Sequence, residues 1–228
     1  MALAAQHDTR LICFDLDGTL VDQTIFIWST LHEYFGSDPL RRQQAVEDFH
    51  AGRISYQDWF HNDLTLLSEK GARRDRIIKA IGPLHPTLGA HETLASLSAR
   101  GYRLAVISGS LDLVLEHFFP QAPFAHVLIN QIHFDADGNI AGGIPTPYDL
   151  EGKARGLTEL ARREGISTAQ CAFIGDNVND LPVMQAAGFA IGVNIKSPQV
   201  AQVADLVLEQ ADLRQLLPYF PGPSSVRP

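Results

Sequence analysis

Five short stretches of the chain are apolar at consecutive positions: 11–14 (LICF), 104–107 (LAVI), 172–174 (AFI), 190–193 (AIGV) and 206–208 (LVL). A strand with one wet face alternates apolar and polar residues. An unbroken apolar run belongs to a strand covered on both faces, as in a parallel sheet between two layers of helix. Helical patterns separate these runs. Residues 89–100 place Leu94 and Leu97 on one side and stop at Gly101, and residues 157–164 stop at Gly165. Glycine just past the last turn is a helix-stop signal. Strand and helix in alternation predict an α/β fold with a doubly wound, mostly parallel sheet.

Two segments break that rhythm. The long stretch between the first and second strands carries no strong strand signal. Helical patterns cover 24–35, 41–50, 55–68 and 73–81, and Ser55 followed by Asp58 reads as a capping box. Gly82-Pro83-Leu84-His85-Pro86 then breaks the chain. The predicted organisation is a core of residues 1–22 and 85–220, a small helical insertion of residues 23–84 over the sheet edge with hinges at both ends, and a disordered tail, 221–228. The second break is 126–143, where Asp137-Gly138 between two apolar runs predicts a β-hairpin.

Composition narrows the function. Hydrophobic residues make up 45%, enough for a full core. The net charge of −8 argues against binding nucleic acid or an anionic membrane surface by bulk charge. An anionic substrate stays possible where a metal or a helix N-terminus inverts the charge locally. Cys13 and Cys171 sit inside apolar runs and read as buried small hydrophobes. No apolar run approaches the ~20 residues that span a bilayer, and the N-terminus shows no apolar signal core. The expectation is a soluble cytoplasmic protein in a reducing compartment. The sequence carries no sign of the oligomeric state.

The chemistry gathers at strand ends. The first strand runs into Asp15-Leu16-Asp17-Gly18-Thr19, the second into Ser108-Gly109-Ser110 ahead of a helical pattern, and the third into Gly175-Asp176-Asn177-Val178-Asn179-Asp180. In a doubly wound sheet, ligands bind beyond the carboxyl ends of the strands. Paired aspartates there need a cation or a proton. A hydroxyl and backbone N–H groups at a helix N-terminus form an anion site. Lys153 stands near the start of another helix. Each piece alone is common; the combination is specific.

The order and spacing of these four motifs resemble the haloacid dehalogenase (HAD) superfamily of phosphohydrolases, over about residues 11–220. Within it, GYRLAVISGSLD and GDNVNDLPVMQAAGFAIGV, followed by KSP and VADLVL, are similar to the phosphoserine phosphatase subgroup. The resemblance implies a HAD-type Rossmannoid core with 23–84 as a mobile cap, and an Mg²⁺-dependent phosphatase acting on a small phosphorylated metabolite. It implies Asp15 as nucleophile and Asp17 as general acid and base. Mg²⁺ would be held by Asp15, the Asp17 carbonyl and Asp176, with Asp180 orienting a metal-bound water. Ser108, the Gly109 amide and Lys153 would hold the phosphoryl group, with Asn179 beside it. Four aspartates against Mg²⁺ and Lys153 leave one negative charge, which favours a proton on one carboxyl group. Asp17 is placed to give that proton to a leaving alkoxide.

A phosphotransferase or phosphomutase would use the same phosphoaspartate. A haloalkanoic acid dehalogenase needs no acid two residues after its nucleophile. A phospho-receiver domain is about half as long and lacks the insertion. The resemblance thins at the substrate. Nine residues after the nucleophile, phosphoserine phosphatases place a Glu for the substrate amine, and Thr24 stands there. Their carboxylate-binding Arg registers with His61. Tyr56 is the third specificity candidate on the insertion. Phosphoserine is therefore expected to be a poor substrate.

Overall fold

The computed structural model describes residues 8–208 and 210–222. Most of the tail expected to be disordered, 223–228, lies outside the described residues. The chain starts with β1 (Leu11–Phe14) and β2 (Val21–Asp22). Four helices follow: α1 (Ile27–Phe35), α2 (Pro39–His50), α3 (Tyr56–Glu69) and α4 (Arg74–Ile81). Next come β3 (His85–Pro86), α5 (Ala90–Ala99), β4 (Arg103–Leu111), α6 (Asp112–Phe118), β5 (Phe124–Phe134) and β6 (Ile140–Ile144). The chain continues through α7 (Gly152–Glu164), β7 (Cys171–Gly175), a 3-10 turn (Val178–Asp180), α8 (Leu181–Ala186), β8 (Phe189–Gly192), α9 (Pro198–Val203) and β9 (Leu206–Val207). A 3-10 helix (Leu213–Tyr219) closes it.

The main sheet has the order β6-β5-β4-β1-β7-β8-β9. All its pairs are parallel except β5 with β6. The doubly wound, mostly parallel α/β expectation holds. Alternate residues feed two cores. Ile12, Phe14, Leu104, Val106 and Ile174 lie on one face of the sheet. Leu11, Cys13, Ala105, Ile107 and Phe173 lie on the other, under Leu157 and Leu160 of α7 and Val183 of α8. Every β1 side chain is fully buried, which is why the run is unbrokenly apolar. Both cysteines are free and buried. Among the described residues, no helix is long and apolar enough to cross a membrane.

The four helices of the insertion form for local reasons. Asp38 caps α2 by accepting from Leu40 and Arg41 N–H, with Pro39 in the first turn. The Ser55–Asp58 capping box starts α3. Leu31, Phe35, Phe60, Leu64, Leu67 and Ile77 close onto one another in the same apolar cluster as one face of the sheet.

Two features went unread in the sequence. β2 and β3 form a small antiparallel pair, Val21 with Pro86 and Asp22 with His85, so the helical segment leaves and returns through neighbouring strands. Two-residue strands have no periodicity to detect. The predicted hairpin at Asp137-Gly138 exists as β5–β6, and it leans on the insertion. Arg74 N–H donates to Gly138 O at 2.9 Å, and Arg73 donates to Asp137 O.

Candidate active site

β1 lies between β4 and β7, so the carboxyl ends of these three strands open into one crevice. Asp15 follows the last residue of β1, and its N–H is fixed by Ile174 O at 2.9 Å. The carboxylate is buried. Oδ1 accepts from the Leu16 N–H at 2.7 Å, and Oδ2 lies 2.9 Å from Lys153 Nζ. Gly18 turns the chain with φ +75°, and a Cβ there would overlap the Asp176 carboxylate. Thr19 is fully buried, and its hydroxyl donates to Asp176 Oδ1 at 3.3 Å.

Lys153, in the first turn of α7, is fully buried and joins two motifs. Besides Asp15 it reaches Asp180 Oδ1 at 2.6 Å. Burial alone would lower its pKa; Asp15, Asp180 and Asp149 more than reverse this and hold it raised. Asp180 Oδ2 accepts the N–H groups of Asp176 (3.0 Å) and Asn177 (3.3 Å), so this carboxylate ties the loop after β7 to the lysine. Asp176 is pushed up to about 9, chiefly by burial and then by the charges of Asp15 and Asp180.

Asp17 is also buried, but it points elsewhere. Oδ1 accepts from the Ser110 hydroxyl at 2.8 Å and Oδ2 from the Ile27 N–H at 2.6 Å, at the N-terminus of α1. Burial drives its pKa up to about 7, with help from Asp15's charge and against these two hydrogen bonds. Two carboxyl groups two residues apart thus sit in unlike environments, one ion-paired with a lysine and one buried without a cation in contact.

The reading of Ser108-Gly109-Ser110 as a helix N-terminus needs correction. β4 continues through all three residues to Leu111, and α6 starts only at Asp112, without a side-chain cap. Strand pairing continues to Leu111 opposite Asn130 and outcompetes the helix signal. Ser108 is buried, and its Oγ accepts from Ser110 N–H at 3.2 Å. Asn179 is half-buried, and its amide oxygen is enclosed without a hydrogen-bond partner among the described residues.

The three specificity candidates part company. Tyr56 reaches the core: its hydroxyl donates to Asp149 Oδ2 at 2.9 Å and meets Asn130 Nδ2 at 3.1 Å. Thr24 is buried, and its hydroxyl is shared with Thr30 at 2.9 Å. The structure does not bring His61 to the acidic cluster. Among the described residues, its ring meets Phe60 at 5.4 Å and lies in the field of Asp58.

Sequence reasoning passed over Trp28, Asn130 and Asp149, and gave Ser110 no site role. The Trp28 indole N–H (3.0 Å) and Asn130 Nδ2 (2.6 Å) both donate to Gly109 O. A Cβ at Gly109 would fall on the Asp149 carboxylate. Ser110 was within reach, two residues beyond a motif serine; the others meet the site across sequence gaps that leave no periodic trace.

The acidic cluster suits a hard cation. Asp15, Asp176 and Asp180 each offer an oxygen, all within 4.8 Å of one another. Asp176 Oδ2 is buried with no hydrogen-bond partner among the described residues, a lone pair that burial makes costly unless an ion takes it. An all-oxygen set of this kind fits Mg²⁺ better than softer metals.

Comparison with known proteins agrees with this layout. The family model of the haloacid dehalogenase-like hydrolases matches residues 12–185. The chain is 29% identical over 221 residues to the phosphoserine phosphatase of Methanocaldococcus jannaschii, covering 92% of this chain and 97% of that one. It is 28% identical to the phosphoserine phosphatase of Archaeoglobus fulgidus, covering 97% of this chain and 62% of the relative. A solved phosphoserine phosphatase carrying a phospho-aspartyl intermediate analogue superposes with a TM-score of 0.72 at 26% identity, over 92% of this chain and 98% of that one. With its strand-end aspartates and buried lysine inside the matched residues, the chain belongs to the haloacid dehalogenase-like hydrolases.

Proposed function

We propose that the protein is an Mg²⁺-dependent phosphatase that hydrolyses a small phosphomonoester through phosphorylated Asp15. The observation that carries this reading is the cluster of three buried carboxyl groups, Asp15, Asp176 and Asp180, two of which pair with Lys153, one Asp15 oxygen lying 2.9 Å from the lysine. An oriented carboxylate group beside a fixed cation is a nucleophile placed where an anionic phosphoryl group can be neutralised. The likeness to a phosphoserine phosphatase holding a phospho-aspartyl intermediate analogue supports it.

In the first half-reaction Asp15 forms the new P–O bond as the ester P–O bond breaks. The departing alkoxide takes a proton from Asp17, which Ser110 and Ile27 hold in place. In the second, Asp17 takes a proton from water, the water oxygen attacks phosphorus, and inorganic phosphate leaves Asp15 free. Lys153 balances charge throughout, and Ser108 with the Gly109 N–H would hold phosphoryl oxygens. Mg²⁺ would sit on Asp15, Asp176 and the Asp17 carbonyl, beside Asp180; when bound it supplies the positive charge that lets an anionic ester approach an anionic nucleophile. The segment 23–84 acts as the cap, with Trp28 and Tyr56 reaching the core from it.

The specificity departs from phosphoserine. Thr24 carries no charge for an amine, and His61 lies outside the cluster, so a substrate carboxylate loses its cationic fork. O-phosphoserine should fall at least ~10-fold in kcat/KM below the best phosphomonoester. The test is phosphate release from a panel of phosphorylated alcohols, amino alcohols and sugars. A first rank for phosphoserine would refute the specificity claim and leave the phosphatase reading standing.

Chelation should abolish turnover and added Mg²⁺ restore it. Mg²⁺ at 100 times its Kd should also stabilise the fold by about 2.7 kcal/mol, read as a rise in Tm. Full activity after exhaustive chelation would contradict the metal assignment.

A further inference from the structure

Asp149, in the loop before α7, takes no part in the chemistry above, yet its carboxylate faces the site. It lies against Gly109, where any larger residue would overlap it. Oδ1 accepts from the Leu150 N–H at 2.7 Å and Oδ2 from the Tyr56 hydroxyl at 2.9 Å. Trp28 and Asn130 brace the Gly109 carbonyl beside it. Among the described residues, Asp149 has no cation within ion-pairing distance, since Lys153 is held by Asp15 and Asp180. Burial raises the Asp149 carboxyl pKa, the charge of Lys153 and its two hydrogen bonds oppose that rise, and Asp15 adds to it, so the group shares the field of the site and holds its own charge best beside a cation.

A phosphate dianion over Asp15 would therefore have the Asp149 carboxyl group close by, beside Gly109. Like charges in a partly desolvated pocket repel strongly unless a cation comes between them. Among the described residues, Lys153 acts on Asp149 only from beyond ion-pairing distance. The substrate can bring a closer cation: an ammonium on the alcohol would lie between its own phosphate and Asp149, with the Tyr56 oxygen as a further acceptor. A carboxylate on the same alcohol would add a third negative charge with no positive partner.

Resting on the phosphatase reading above, we propose that Asp149 and Tyr56 form the leaving-group subsite and select a phosphomonoester of a primary amino alcohol without a carboxylate. The carboxylate that recognises the amine comes from the core loop before α7, and the insertion contributes the tyrosine that orients it.

The experiment compares kcat/KM for phosphoethanolamine, O-phosphoserine, glycerol phosphate and p-nitrophenyl phosphate, using wild-type, Asp149→Asn and Tyr56→Phe proteins with Mg²⁺. Wild type should prefer phosphoethanolamine to glycerol phosphate and to O-phosphoserine by ~10-fold or more. Asp149→Asn should reduce the phosphoethanolamine to glycerol phosphate ratio by ~10-fold or more, mainly through KM. Tyr56→Phe should reduce it less, because the charge remains. Equal use of the amine and the neutral alcohol by wild type would overturn the proposal without any variant. So would an Asp149→Asn protein that loses activity on all four substrates alike. If wild type releases no phosphate even from p-nitrophenyl phosphate, the phosphatase reading itself fails.

Discussion

Asp15→Asn protein should fold as the wild type does and turn over at least ~10³-fold more slowly. The two expectations have separate causes. Asparagine keeps the shape and an oxygen for the Leu16 N–H, but it has no anionic lone pair to attack phosphorus. The fold survives because the substitution removes one negative charge from a crowded cluster, and Lys153 keeps its 2.6 Å contact with Asp180. Loss of an ion pair is thus offset by relief of repulsion from Asp176, whose carboxyl Asp15 helps push up to about 9. Acid-quenched wild-type protein should carry phosphate on Asp15, and the variant should carry none. Near-normal turnover by a variant with wild-type Tm would sink the covalent route.

Lys153→Met should be the most destabilising single change at the site. The lysine is fully buried between Asp15 and Asp180. Removing one partner of a buried pair leaves an uncompensated charge and costs about 3–5 kcal/mol. The cost should depend on pH, with a definite sign. Burial already raises the carboxyl pKa of Asp180, and Lys153 opposes that rise, so its loss raises it further. A carboxylic acid with a folded pKa above its unfolded value is neutral and harmless at low pH. As pH climbs through the folded pKa, the folded state must either hold a proton or bury a charge, and stability drops. In Mg²⁺-free buffer the deficit against wild type should be small near pH 5 and grow toward pH 8. Urea unfolding at the two pH values measures it. A deficit below about 1 kcal/mol at both would show that Lys153 is not the site's counter-charge.

The sheet and the four motifs were readable because each rests on a local signal. Leu11–Phe14 is apolar throughout because both faces of β1 are covered, and Asp15 and Asp176 come directly after the ends of β1 and β7. What went unread is set by tertiary contact. Ser108–Ser110 carried a helix-cap signal, and pairing with β5 overrode it. Asp149 sits in a Pro-Tyr-Asp-Leu stretch that reads as a connecting loop. Its meaning comes from Gly109 and Tyr56, both remote in sequence. His61 was placed by register alone, and its ring is set against Phe60.

The β2–β3 pair has a consequence for how this protein could diversify. A segment whose two ends are clamped side by side can be lengthened or exchanged at little entropic cost, since doubling a flexible loop adds only about 0.6 kcal/mol of closure entropy. Every paired residue of the main sheet lies outside the stretch between Asp22 and His85. Asp15, Lys153 and Asp176 lie outside this graftable stretch, whereas Trp28 and Tyr56 lie inside it. One architecture can therefore hold its reactive half constant and refit the other half to a new alcohol, as a tool changes heads on a common handle.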